Sequence, residues 1–181
     1  MKNMKKLMVA AALATGVLVP SVFAQAPPPQ PGVEVKRLGY FEGQWKVETE
    51  SKQSFPAFPA GKYTGTQTCQ WFAGGFHLVC RSDVTTPSGA TRGESIYGYD
   101  PLAKTYTLYN FGSSGNGSFV RGTVSGPVWT WNYEGMVDGK LLKVRNTATE
   151  QSPTSATVKS ETSLDGGAWT VLYDGKLTKV K

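Results

Sequence analysis

The chain has 181 residues, of which 39% are hydrophobic and 18% charged, with two cysteines, one histidine and a formal net charge of +6. Two cysteines and one histidine fall short of the usual zinc and iron ligand sets, so no metal and no cofactor is expected. The basic residues are scattered rather than clustered, which argues against a nucleic-acid partner and against a polybasic membrane patch.

Lys2, Lys5 and Lys6 precede an apolar run from Leu7 to Val19, and Val22-Phe23-Ala24 has the small-residue pattern of a cleavage site before Gln25. Residues 1–24 therefore read as a signal peptide, and the protein is expected in the periplasm or outside the cell. The apolar run is shorter than the ~20 residues a bilayer core requires, so no integral membrane segment is expected after cleavage. Cleavage removes three lysines and no acid, leaving sixteen basic against thirteen acidic residues and a formal charge of +3. A mature chain of this size suits one domain, and folding removes roughly 70% of its surface from water.

Residues 25–32, QAPPPQPG, form a proline-rich leader that packs no core and reads as an extended spacer. The single domain is expected over 33–181. Val35, Leu38 and Phe41 share helical spacing within Val33 to Phe41, which predicts one or two helical turns ending at Gly43. From Gln44 onward the pattern alternates. Trp45, Val47 and Thr49 oppose Lys46, Glu48 and Glu50 in the first predicted strand, and the prolines of residues 55–61 mark a loop.

Lys62 to Val84 reads as a hairpin with Gly74 and Gly75 at its turn, because glycine tolerates the positive φ that tight hairpin turns require. A two-residue turn pairs Ala73 with Phe76, and counting outward puts Trp71 opposite Leu78 and Cys69 opposite Cys80; a four-residue loop keeps the same partners. Paired Cα atoms about 4.5 to 5.5 Å apart suit a disulfide between Cys69 and Cys80. Alternation then puts Cys69, Trp71, Leu78, Cys80 and Val84 on the core face, and Gln70, Phe72, His77, Val79, Arg81 and Asp83 on the other.

Further strands are predicted over 91–99, 104–111, 116–124, 128–134, 140–151, 154–164 and 168–180, separated by turn residues such as Asp100-Pro101, Gly126-Pro127, Asp138-Gly139 and Asp165-Gly166. Gly175 suggests a bulge or bend in the last of them. No connection is long enough for a crossover helix, so about ten strands form an antiparallel sheet that closes or folds over to remove its edges. The fold class is all-β, a closed meander barrel in first place and a β-sandwich in second, preceded by the short helix.

Gly43-Gln44-Trp45 resembles the start of lipocalin-type barrels, in which the tryptophan plugs one end. Residues 69–80 (CQWFAGGFHLVC), 98–106 (GYDPLAKTY) and 164–170 (LDGGAWT) together resemble an uncharacterised bacterial family of exported proteins, domain of unknown function fifteen seventy-nine. The resemblance covers nearly all of 38–179. It implies a lipocalin-like barrel and, as that family has no settled activity, no catalytic residues. A more distant likeness to nitrobindin-type haem barrels fails at the ligand. That family holds iron through a histidine on a late strand, whereas His77 lies beside an early hairpin tip.

His77 is the only histidine and falls on the outward face, so no base is placed for a serine nucleophile. Asp100, Asp138 and Asp165 sit where turns need an aspartate. The glycines of residues 112–118 precede a strand rather than a helix, so they form a hairpin loop at a barrel mouth and not a phosphate cradle. Aromatic pairs share strand faces: Tyr97 with Tyr99, Tyr109 with Phe111, and Trp129 with Trp131 and Tyr133. With Trp71, these faces either line a cavity for an apolar or planar ligand or fill the barrel. Arg121, projecting inward, would pair a ligand carboxylate.

The function expected is non-enzymatic binding of a small amphipathic or hydrophobic molecule in the barrel. The alternative is an envelope interaction or scaffold protein whose barrel is filled. An enzyme ranks last, because no pair of titratable groups stands out by spacing.

Overall fold

The computed structural model describes residues 28–55 and 58–180, so the signal peptide read at 1–24 lies outside the described residues. A short helix, α1 (Val33–Arg37), runs into a 3-10 turn (Leu38–Phe41). Ten strands follow: β1 (Gly43–Ser51), β2 (Gly61–Trp71), β3 (Leu78–Thr86), β4 (Gly89–Asp100), β5 (Thr105–Gly112), β6 (Gly117–Ser125), β7 (Val128–Val137), β8 (Lys140–Ser152), β9 (Ser155–Leu164) and β10 (Thr170–Lys179). Each pairs antiparallel with its neighbour in sequence. The sheet closes where β1 meets β10, from Trp45 opposite Lys179 to Ser51 opposite Tyr173. Closure gives the backbone groups of the first and last strands partners they would lack in an open sheet, which is why the meander is a barrel and not a sandwich.

The cystine hairpin has the register that its residue spacing predicts, with Trp71 opposite Leu78 and Cys69 bonded to Cys80. The turn is the four-residue form. Phe72 N–H donates to the His77 carbonyl at 2.8 Å and Gly75 N–H to the Phe72 carbonyl at 2.9 Å, so Ala73 to Phe76 make the loop and Ala73 does not pair with Phe76. Gly74 and Gly75 both adopt positive φ, 90° and 74°. Because Phe72 and His77 exchange a ladder bond, Cys69 and Cys80 fall on a non-hydrogen-bonded pair. Their Cα atoms are 4.0 Å apart, as befits the closer of the two antiparallel pairings.

Register propagates from this hairpin around the wall. Leu78 pairs with Tyr97, Tyr97 with Leu108 and Leu108 with Val120, one inward row running across four strands. The helical segment plugs one end of the barrel. Leu38 and Phe41 are buried against Tyr106, Trp129 and Trp131, and Trp45, 1% exposed, donates its indole N–H to the Phe41 carbonyl at 2.8 Å. Lys179 places its ammonium 5.2 Å from the Trp45 ring. The tryptophan at the start of β1 thus sits at the closed end.

The bulge in β10 lies elsewhere than Gly175. The register shifts between Val171 and Tyr173, so Leu172 is an extra residue and both Leu172 and Tyr173 line the interior. Gly175 serves a different need: a Cβ there would collide with the Glu48 carbonyl of β1, so glycine allows the two strands their close approach.

Candidate functional site

The barrel interior divides at about mid-height. The half next to the helix is filled by Leu38, Phe41, Leu78, Tyr106, Trp129 and the cystine. Beyond Phe41 the interior opens into a cavity of about 570 Å³, within the range of small-molecule sites. The interior is thus filled in part only, where the scaffold alternative expects it filled throughout.

Phe41 forms the floor and stacks on Tyr97 with ring centroids 5.9 Å apart; Tyr97 meets Trp131 edge-on at 5.6 Å. Leu108, Val120, Leu142, Val144, Val158, Leu172 and Leu177 supply apolar wall. Set into it are Gln67, Asn110, Ser118, Asn146, Ser160, Thr162 and Tyr173. Among the described residues the lining contains no Asp, Glu, Lys, Arg or His, so the lumen offers hydrogen bonds without charge.

Most of these polar groups are already held. Ser95 Oγ donates to Asn110 Oδ1 at 2.8 Å, and Asn110 Nδ2 donates to Ser118 Oγ at 3.3 Å, a rung across β4, β5 and β6. Burial pushes the Tyr97 hydroxyl up to about 12, with the hydrogen-bonded Gln67 amide pulling the other way. Burial likewise raises the Tyr173 hydroxyl, offset in part by Ser160. Both phenols stay neutral donors at physiological pH. Asn146 differs. Its Oδ1 is buried and meets no donor among the described residues, an arrangement that costs free energy unless something else supplies one.

The residues singled out from the sequence fall into three groups. Tyr97, Trp131 and Tyr133 line the cavity. Trp71, Tyr99 and Trp129 belong to or pack against the filled core rather than the lumen; Trp129 is wholly buried beneath Arg37, whose guanidinium lies 5.2 Å from its ring. Tyr109, Phe111 and Arg121 are on the outer wall, a correction to the inward facing expected of them. Tyr109 and Phe111 are 46% and 52% exposed, and Arg121 lies over the Phe119 ring at 5.1 Å. The physical reason is the register of β5, which turns Tyr106, Leu108 and Asn110 inward and so sends the odd-numbered aromatics out. Gln67, Asn110, Asn146, Ser160 and Tyr173 are lining residues that the aromatic pattern did not mark. The row Leu78, Tyr97, Leu108, Val120 was the available signal, since carrying it two residues along β5 reaches Asn110.

Fold and lumen together define a hollow, lipocalin-like up-and-down β-barrel of ten strands, plugged at one end by a helix. The chain belongs to the family described as Protein of unknown function (DUF1579), which matches residues 30–179. Among solved structures, a de novo designed fluorescence-activating beta barrel is 18% identical with a TM-score of 0.42, over 78% of this chain and 94% of that one. A redesigned beta barrel is 16% identical with a TM-score of 0.43, over 79% and 94%. A protein bound to DFHBI is 13% identical with a TM-score of 0.43, over 81% and 98%. No curated protein matches the sequence.

Proposed function

We propose that the protein is an exported carrier or sensor that holds one small, uncharged, amphipathic molecule in the barrel lumen. The observation that carries this reading is the pairing of a roughly 570 Å³ apolar cavity with amide and hydroxyl groups and, among the described residues, no ionised side chain. A charged ligand buried there would lose its hydration without meeting a counter-charge, at a cost of several kcal/mol. A neutral molecule with a carbonyl or hydroxyl and an apolar body loses little and gains the wall. Tyr97 and Trp131 offer planar faces, and the unpaired Asn146 Oδ1 offers an acceptor for a ligand N–H or O–H. Export is supported by the Cys69–Cys80 disulfide, which persists in oxidising compartments, and by the signal-like residues 1–24.

Gently extracted protein examined by native mass spectrometry, followed by tryptophan-fluorescence titration with quinones, long-chain alcohols, fatty acids and haem, tests the reading. The expected result is saturable binding of the neutral compounds, with fatty acids and haem at least tenfold weaker. The response should fall in Trp131→Phe, because Trp131 is the tryptophan in the lining. Absence of any saturable binding, or tighter binding of the carboxylates, overturns it.

A further inference from the structure

The barrel wall is not zipped along its whole height. β6 runs from Gly117 to Ser125 and β7 from Val128 to Val137, yet their pairing spans only Arg121 opposite Asn132 to Ser125 opposite Val128. On their other sides these strands are paired much further along, β6 with β5 down to Gly117 and β7 with β8 out to Val137. Residues 117–120 and 133–137 therefore face one another without a ladder. At ~3.4 Å per residue the unpaired stretch is about 15 Å long.

Both lips of this slit line the cavity: Gly117, Ser118 and Val120 on β6, Tyr133 and Val137 on β7. Outside, each lip carries exposed apolar surface. Phe119 packs at a tilt against Tyr109, ring centroids 4.7 Å apart, on one side, and on the other Met136 lies directly opposite its neighbour Leu141. Both barrel ends carry aromatic side chains. Leu38 and Phe41 plug the first. At the second, Phe55 and Phe58 belong to the cavity lining and exchange backbone hydrogen bonds of 2.8 and 2.7 Å, and Gln53 Nε2 ties their segment to the Val171 carbonyl of β10 at 2.8 Å.

We propose that the β6–β7 slit is the ligand portal, through which an apolar, uncharged molecule enters and leaves the lumen sideways; this rests on the ligand-binding reading above. Unpaired ladder groups at a strand edge open at little cost, because no cross-strand bond has to break there. The flanking aromatic and aliphatic side chains give an apolar molecule a surface to meet before it enters.

The test is a staple. Continuing the β6–β7 register past Arg121 and Asn132 puts Phe119 opposite Glu134, so Phe119→Cys with Glu134→Cys closes the slit when oxidised and reopens it under mild reduction, the native disulfide being buried. The neutral dye Nile red is the probe, with stopped-flow fluorescence as the readout. Association and dissociation rates are expected to fall at least tenfold in the oxidised double variant relative to the same variant kept reduced, with Kd within about threefold, and to recover on reduction. Unchanged rates in a fully cross-linked protein overturn the portal and leave the binding reading standing; failure of wild type to bind the dye or any neutral compound overturns both. Hydrogen exchange gives a dye-free readout. The edge-facing amides of 117–120 and 133–137 should exchange far faster than the paired amides of 121–125, and equal protection in the two stretches overturns the portal.

Discussion

Glu150 accepts the indole N–H of Trp129 on Oε1 at 2.6 Å, and the same oxygen lies 2.6 Å from the Arg37 guanidinium. One carboxylate on β8 thereby joins a wholly buried ring at the start of β7 to the helix that plugs the barrel. The Arg37 guanidinium completes the arrangement by lying over the Trp129 ring. The closed end is held by this contact as well as by apolar packing, and the cavity floor, Phe41, is four residues from Arg37 on the same segment.

Removing that carboxylate should loosen the plug. Glu150→Ala leaves a buried N–H without an acceptor and an arginine without its partner, which should cost about 2 kcal/mol. Glu150→Gln keeps an acceptor for Trp129 and should lose less than half as much. Urea titration followed by tryptophan fluorescence measures both. A loss below about 0.5 kcal/mol in the alanine variant would mean that the plug is held by packing alone.

The Cys69–Cys80 bond closes a loop across a sequence separation of eleven residues, and both sulfurs are buried in the core at the closed end. In the chain-entropy account such a closure contributes roughly 3 kcal/mol. Cys69→Ala with Cys80→Ala should lower stability by about that amount while β2 and β3 keep their register, because the pairing from Thr64–Thr85 to Trp71–Leu78 does not depend on the bond. Chemical denaturation together with far-ultraviolet circular dichroism checks the two halves of this expectation. Collapse of the sheet signal in the double variant would show that the bond specifies the register as well as stabilising it.

Tyr97 gives the protein a stability limit at high pH. Burial raises its hydroxyl to about 12, against about 10 in an unfolded chain, so the folded state holds the proton more tightly. The associated stabilisation is fully present below pH 10 and is lost as pH rises through about 12, by at most about 3 kcal/mol. Tyr173, also raised by burial, slopes the same way. Denaturation midpoints measured from pH 8 to 12 should stay flat and then fall, with a shallower fall in Tyr97→Phe. An equal fall in the variant would place the titrating group elsewhere.

How far the sequence reveals this molecule depends on what fixes each strand's facing. The cystine hairpin could be counted residue by residue because two glycines and two cysteines pin a register whose side-chain period is two. The ten-strand count followed from turn residues. Facing on β5 was harder to read, since both its faces carry aromatics, Tyr106 on one and Tyr109 with Phe111 on the other. Hydrophobicity cannot choose between such faces, and barrel walls leave apolar rings exposed. The extra residue Leu172 breaks alternation in β10 with no glycine or proline to mark it, so Leu172 could not be placed in the lumen by counting from Leu177 through Tyr173. The end of β6–β7 pairing at Arg121 is likewise set by how two strands diverge in space, which no local residue pattern encodes.

Asn146 should trade stability against binding. Its side-chain oxygen is buried without a donor among the described residues, while its neighbours on the wall, Val144 and Ala148, are apolar. Asn146→Leu, similar in size, removes the unpaired group and should stabilise the ligand-free protein by about 1 kcal/mol. If that oxygen receives a ligand hydrogen bond, the same change should weaken binding of a neutral hydroxyl-bearing compound up to roughly tenfold, equivalent to about 1.4 kcal/mol. An analogue lacking the hydroxyl should be affected much less, because its complex never had the bond to lose. Paired melts and titrations on wild type and variant measure the two effects together. A variant that is both less stable and unchanged in affinity would mean that Asn146 already has its partner within the fold, and the acceptor for the ligand would have to be sought among Gln67, Ser160 and the two buried tyrosines.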